Sequence, residues 1–179
     1  EAQQVDWLIL HFNHWFSHLN VTLVRGAFEP EYFPATQDAP ARIQFAHGFF
    51  NSALHEISHW TIAGDKRRLL PDLGYWYAPD GRTQEQQALF EQVEVKPQAI
   101  EWMFAQAFGR KFRVSLDNLT GDGGDGKGFK DNVYTQVQAY FNGTAKLPRD
   151  AMRFIQCICA CTRGGKSLQS DEFIREMLD

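Results

Sequence analysis

The sequence lacks several features that would assign it to a broad functional class. No run of about 18 apolar residues occurs, so we expect no membrane-spanning helix. The formal net charge is -4, which argues against general DNA binding. Residues 1–6 are polar and acidic and do not resemble a signal peptide. These absences predict a cytoplasmic protein with no membrane contact.

Cysteine is also scarce. The chain has 3 cysteines, Cys157, Cys159 and Cys161, crowded into one segment. Their odd number argues against a disulfide framework, and their spacing of two differs from the Cys-x-x-Cys of zinc and redox sites. Reduced cytosolic thiols are the simpler interpretation.

The residues that are present predict one compact domain over residues 1–179. Hydrophobic residues make up 44% of the sequence, including 15 Phe and 5 Trp, which indicates a packed interior. The expected fold class is α/β (α+β), with a small mixed sheet flanked by helices. Strands are predicted at residues 21–25, 42–46 and 111–116, a loop at 28–41, and helices at 3–19, 49–63, 84–107, 129–141, 150–162 and 170–178.

The motif His-Glu-x-x-His occupies residues 55–59 of a predicted inner helix. On a helix, His55 and His59 lie one turn apart on one face, so both imidazoles can reach one metal ion. Glu56 projects beside them, where a general base or a carboxylate that supports a ligand is useful. Histidines on an inner helix need partners, and a metal ion is a common shared one. We therefore predict a metal site on this helix.

The third ligand is left open by residue spacing. Two histidines with one carboxylate suit Fe(II) and oxygen chemistry, but also zinc hydrolysis. Asp65 stands where metzincin proteases place a third histidine, although Ile62 replaces the glycine that they need. The other candidates are Glu91 and Glu94.

Glu91 and Glu94 belong to a polar stripe on the helix predicted over residues 84–107. Thr83 and Gln86 form its capping pair, and Pro97 predicts a kink or break. Carboxylates on a largely apolar helix need a compensating charge, which a metal ion would provide. The members of the stripe, spaced by three and four, are Glu91, Glu94, Gln98 and Glu101.

Three consecutive aromatic residues, Tyr75, Trp76 and Tyr77, precede a Pro-Asp-Gly sequence. This pattern predicts a strand and a tight turn. The rings suit either a hydrophobic core or a substrate wall, because aromatic faces bind cations and methylene chains.

Four blocks of sequence form a combination far more specific than His-Glu-x-x-His alone. The first runs from the motif through Ala63-Gly64 to Arg67-Arg68. The others are residues 74–77 (Gly-Tyr-Trp-Tyr), 79–82 (Pro-Asp-Gly-Arg) and 90–99 (Phe-Glu-x-Val-Glu-Val-Lys-Pro-Gln-Ala). In this combination the chain resembles the elongation factor P hydroxylase family over nearly its whole length.

The resemblance implies a metal-dependent oxidoreductase, a monooxygenase that uses Fe(II) and O2. Its substrate would be elongation factor P carrying a β-lysylated lysine. The implied fold resembles a metal-dependent ribonuclease rather than a jelly roll. Carried onto this sequence, His55 and His59 become metal ligands, and Glu94, in the middle of its block, becomes the carboxylate ligand.

For such a substrate, our hypothesis is that the aromatic stretch takes part in substrate binding. Tyr75, Trp76 and Tyr77 would flank the aliphatic chain of the lysine. Its ammonium groups would pair with acidic side chains oriented by an arginine: Asp72, Asp80 and Arg82. Two alternatives remain, a zinc-dependent hydrolase (protease or ribonuclease-like) with Glu56 as catalytic base, and a binding module with a structural metal.

Overall fold

The structure is a computed structural model that describes residues 1–75, 83–115 and 126–179. The chain divides into two compact units. Unit 1 comprises Glu1–Tyr75 and Arg149–Cys157, and unit 2 comprises Trp76–Pro148 and Ile158–Asp179. That the whole chain forms one domain stays a prediction.

Unit 1 contains a mixed sheet of three strands in the order β1-β3-β2. Strand β1 (Val21–Arg25) runs parallel to β3 (Ala41–Phe45), and β2 (Glu31–Phe33) runs antiparallel to β3. The predicted mixed sheet and α+β class are confirmed. The prediction of a continuous loop at residues 28–41 is wrong, because β2 lies within it. That strand has only three residues between two prolines, too few for an alternating pattern.

Two helices of unit 1 bury an aromatic core. Helix α1 (Ala2–Trp15) contributes Phe12, and α2 (Phe50–Arg67) contributes Trp60. The Trp60 ring lies 5.7 Å from Phe12 and 5.2 Å from Phe16, centroid to centroid. Edge-to-face contacts of this kind stabilise a core beyond the area that they bury. They fix the inner face of the helix that carries His55 and His59.

Helix α2 extends beyond its predicted end at residue 63. The backbone of Gly64 turns to φ 68° and ψ 178°, and one further helical turn continues to Arg67. Glycine can adopt this conformation because it lacks a Cβ atom. The prediction that the helix ends at Gly64 is therefore correct for its regular part only.

Unit 2 contains helices α3 (Gln84–Ala107) and α4 (Lys127–Asn142). The capping box is confirmed: Gln86 N donates to Thr83 Oγ1 at 3.2 Å, and Thr83 N donates to Gln86 Oε1 at 2.9 Å. Pro97 lies inside α3, which continues through it. Helix α5 (Arg149–Thr162) has its residues 149–157 in unit 1 and the remainder in unit 2.

Two predicted elements of unit 2 are wrong. Residues 111–115 form no strand, and residue 116 lies outside the described residues. The backbone of Ser115 pairs instead with the side chain of Gln98. The predicted helix at 170–178 is two short 3-10 turns, Ser170–Glu172 and Arg175–Leu178, separated by extended backbone at Phe173. None of the helices in the described residues has the length and hydrophobicity that a membrane span requires.

Candidate metal centre

The two histidines of the motif lie on α2, beside the face that packs into the core. His59 is 6% exposed and His55 is half-buried. Ser58 is fully buried and donates its hydroxyl hydrogen to the carbonyl oxygen of His55 at 2.6 Å. This bond lies within α2, and the helical backbone restricts the rotamers of the side chains that it carries.

The two imidazoles face each other through their Nε2 atoms. These atoms lie 3.1 Å apart, and the ring planes meet at 76°. Two nitrogen ligands about 2.1 Å from one metal ion, at roughly a right angle, lie about 3 Å apart. A single proton shared between the rings gives a similar separation. The pair is therefore a donor set that suits a divalent metal ion.

Glu56 follows His55 directly and precedes His59 by three residues. Glu56 is half-buried. Residues three apart on a helix are neighbours. Glu56 therefore neighbours both histidines on α2, where a carboxylate can act as a general base or support a ligand.

The three candidate carboxylate ligands occupy different surroundings. Glu94, on α3, is 2% exposed, and Gln98 Nε2 lies 3.5 Å from its Oε2 atom. Glu91 is half-buried and accepts a hydrogen bond from Gln87 Nε2 at 3.3 Å. The side chain of Asp65 is 84% exposed and lies 3.9 Å from Arg68 Nη1. Burial of a carboxylate requires a compensating charge, which favours Glu94.

A turn follows α2 and brings Tyr75 to His59. The two rings lie 5.1 Å apart, centroid to centroid, with an interplanar angle of 75°. The guanidinium carbon of Arg67 lies 3.7 Å from the centroid of the Tyr75 ring. An aromatic ring predicted to bind substrate thus contacts one of the predicted metal ligands.

Of the other five residues predicted to bind substrate, the structure describes one. Asp72 is exposed, and its Oδ1 accepts a hydrogen bond from the backbone nitrogen of Tyr32 at 3.0 Å. Four of the predicted residues lie outside the described residues, and their roles stay predictions: Trp76, Tyr77, Asp80 and Arg82.

Arg68 anchors the end of α2, a role that the sequence analysis missed. Its guanidinium lies 3.7 Å from the Trp60 ring, its Nε donates to the Trp60 carbonyl oxygen, and its Nη1 lies 2.8 Å from Asp150 Oδ2. Burial raises the pKa of Asp150, but hydrogen bonds and charges from Arg149 and Arg68 outweigh it and lower the pKa overall. In the sequence, the adjacent residues Arg67 and Arg68 were the available signal for this role. Asp150, the ion-pair partner of Arg68, lies 82 residues further along the chain.

The mixed sheet and the paired histidines define an α+β protein with a candidate site for a divalent metal ion. A sequence model of the family described as EpmC, elongation factor P hydroxylase, matches residues 11–173. The chain is also 53% identical over 139 residues to the elongation factor P lysine hydroxylase of Haemophilus influenzae, covering 76% of this chain and 78% of that protein. The chain belongs to the elongation factor P hydroxylase family. It is therefore an enzyme of the oxidoreductase class.

Proposed function

We propose that this enzyme is a monooxygenase that hydroxylates the β-lysylated lysine of elongation factor P with Fe(II) and O2. The observation that carries the proposal is the pair of imidazoles on α2, with Nε2 atoms 3.1 Å apart, in a member of this hydroxylase family. Family membership disfavours the alternative of a zinc-dependent hydrolase, since the curated relative is itself a hydroxylase.

The metal would be held by His55, His59 and Glu94. What supports this set is the pair of imidazoles that face each other on α2 and the buried carboxylate on α3. Two imidazoles and one carboxylate match the donor set of non-haem Fe(II) oxygenases, which leave coordination positions open. When bound, Fe(II) would supply the activation of O2.

The side chains around these ligands would bind the substrate and hold a proton for the reaction. One oxygen atom of O2 enters a C–H bond, and the other becomes water with two electrons and two protons from an external reductant such as ascorbate. Glu56, half-buried on α2, would hold a proton beside the ligands. The carboxylate of Asp72 would attract an ammonium group of the substrate, and Tyr75 would contact its aliphatic chain.

The cellular setting follows from the proposed substrate. Elongation factor P serves translation, so the reaction would take place in the cytoplasm. Neither DNA nor a membrane takes part in the proposed reaction.

The test is the intact mass of β-lysylated elongation factor P. The enzyme is loaded with Fe(II) without oxygen, mixed with the substrate and ascorbate, and exposed to air. We expect the mass to increase by one oxygen atom with the wild-type enzyme, and not with His55→Ala. His14→Ala, an exposed histidine on α1, is the matched control and should react like the wild type.

An unchanged mass with several reductants would contradict the proposal. Glu56→Gln then tests the hydrolase alternative, because a zinc hydrolase that uses Glu56 as its general base loses peptide or RNA cleavage in this variant. A hydroxylase cleaves neither substrate, with or without the substitution.

A further inference from the structure

We propose that Arg67 and Tyr75 are positioning residues for the metal ligand His59. The inference rests on the proposed metal site, and it assigns to two residues outside the ligand set the task of fixing one imidazole. All of the contacts that support it lie within unit 1.

The first contact is between the rings of Tyr75 and His59. Their centroids lie 5.1 Å apart at an interplanar angle of 75°, within the range of favourable edge-to-face aromatic pairs. His59 is almost fully buried, and its Nε2 faces that of His55. Since the orientation of an imidazole decides where its nitrogen points, a ring packed against His59 influences the direction of its metal-binding nitrogen.

The second contact holds Tyr75 in place. The guanidinium of Arg67 stacks on the Tyr75 ring with its carbon 3.7 Å from the centroid, and Arg67 Nε donates to the carbonyl oxygen of Leu73 at 2.8 Å. The Arg67 side chain therefore contacts both the Tyr75 ring and the backbone of the turn that precedes it. A planar guanidinium can do both at once, whereas the ammonium of lysine cannot.

The turn between α2 and Tyr75 is strained, which shows that its contacts determine its conformation. Asp72 and Leu73 have φ angles of 48° and 56°, and Gly74 follows with 67°. Left-handed conformations at non-glycine residues cost free energy and persist where the surroundings impose them, often at functional sites.

The surroundings of the turn account for this conformation. Leu73 is buried, Asp72 Oδ1 accepts a hydrogen bond from Tyr32 N, and the hydroxyl of Tyr32 donates to the carbonyl oxygen of Arg68. A Cβ atom at Gly74 would lie 2.9 Å from Leu70 Cδ1, so the backbone at Gly74 packs closely on the Leu70 side chain. These contacts connect the turn to α2 and to β2, and the turn places Tyr75 beside His59.

The experiment measures Co(II) affinity and the visible absorption spectrum of bound Co(II), with the metal alone as the probe. The variants are Tyr75→Ala, which removes the ring, and Arg67→Leu, which removes its support. We expect each to weaken Co(II) binding by about 10-fold and to change the spectrum, as loss of a partner that orients a ligand does. Lys66→Leu is the control: it removes the same charge one residue away, at an exposed position.

Two further variants separate positioning from folding. Tyr75→Phe keeps the ring and should bind Co(II) within about two-fold of the wild type, since ring packing carries the effect. The double variant Arg67→Leu with Tyr75→Ala should be no weaker than Tyr75→Ala alone, because Arg67 acts through Tyr75. If Arg67→Leu is too unstable to measure, Tyr75→Ala decides alone, since it leaves the side chain of Arg67 in place.

Wild-type affinity and spectrum in Tyr75→Ala would overturn the inference, as would a loss in Tyr75→Phe equal to that in Tyr75→Ala. Failure of the proposed function has a different signature. In that case elongation factor P gains no oxygen, while Co(II) binding still depends on His59, and the same variants still decide the role of Arg67 and Tyr75.

Discussion

Helices α2 and α3 both carry ionisable side chains within apolar surroundings, but they fix them by different means. On α2, His55 and His59 are positioned by helical spacing, and their nitrogens meet within one element. On α3, Glu94 is buried beside Gln98, and that amide is held by the backbone of Ser115, 17 residues further along the chain. Local geometry sets the first arrangement, and a contact between distant segments sets the second.

The comparison shows which part of the proposed ligand set can be predicted from a motif. A spacing of four on a helix brings two side chains together whatever surrounds the helix. A buried carboxylate depends on which face its helix turns inward and on what covers it. The predictions below test each helix, from the largest expected effect to the smallest.

The largest effect is expected on α2. His59→Ala should remove one of two proposed ligands whose Nε2 atoms lie 3.1 Å apart, and lower Fe(II) affinity by at least about 100-fold, with loss of hydroxylation. Metal content after dialysis and the mass of elongation factor P measure both. The exposed His18→Ala should retain the metal, and equal retention by His59→Ala would exclude it as a ligand.

On α3, Glu94→Gln and Glu91→Gln form a matched pair that keeps side-chain size and removes one charge. We expect Glu94→Gln to weaken Fe(II) binding by roughly 100-fold and Glu91→Gln by less than about two-fold, because Glu94 is the buried carboxylate. Isothermal titration without oxygen distinguishes them. The reverse ranking would assign the third ligand to Glu91.

The substitution Asp150→Ala removes the ion pair that stabilises the end of α2. The pair of Asp150 with Arg68 joins side chains that are 6% and 11% exposed, so Asp150→Ala leaves the largely buried Arg68 charge, among the described residues, with only the exposed Asp65, 3.9 Å away. Loss of one partner of such a pair costs about 3 kcal/mol of unfolding free energy. Urea denaturation measures it, with the exposed Asp171→Ala as the control.

The same pair predicts a pH dependence. The pKa of Asp150 in the folded protein lies below its ordinary value of 3.8 because Arg149 and Arg68 outweigh the effect of burial. The stabilisation is therefore complete above about pH 5 and is lost as the pH falls through the folded-state pKa. Asp150→Ala should lack this component, and an unchanged pH profile in the variant would contradict the assignment.

The smallest effect is expected at the start of α3. Thr83→Ala removes the hydroxyl that accepts from Gln86 N and should cost about 1 kcal/mol of unfolding free energy. Thermal denaturation followed by circular dichroism measures the change, and Gln92→Ala, an exposed position further along the same helix, serves as the control. Metal affinity should stay within about two-fold of the wild type, since a cap stabilises the helix end without touching a ligand.

The elements with a strong local pattern were predictable. All five α-helices within the described residues were predicted, and the pair of Thr83 and Gln86 located a helix start. Strand β2 was missed because three residues do not show a period. The strand predicted at residues 111–116 was wrong because the backbone of Ser115 bonds to a side chain, a choice that no local pattern reveals.

The sequence by itself determined the pairing of His55 with His59, because a helical period acts on residues four apart. It also indicated the family, because four blocks of residues occur together. Only the tertiary structure decided that Glu94 is buried while Asp65 is exposed, and that residues 72–74 adopt left-handed conformations. It also decided that Arg67 stacks on the Tyr75 ring and that this ring contacts His59. These arrangements depend on packing between segments separated along the chain, and the energy of such contacts overrides the local preferences of each residue.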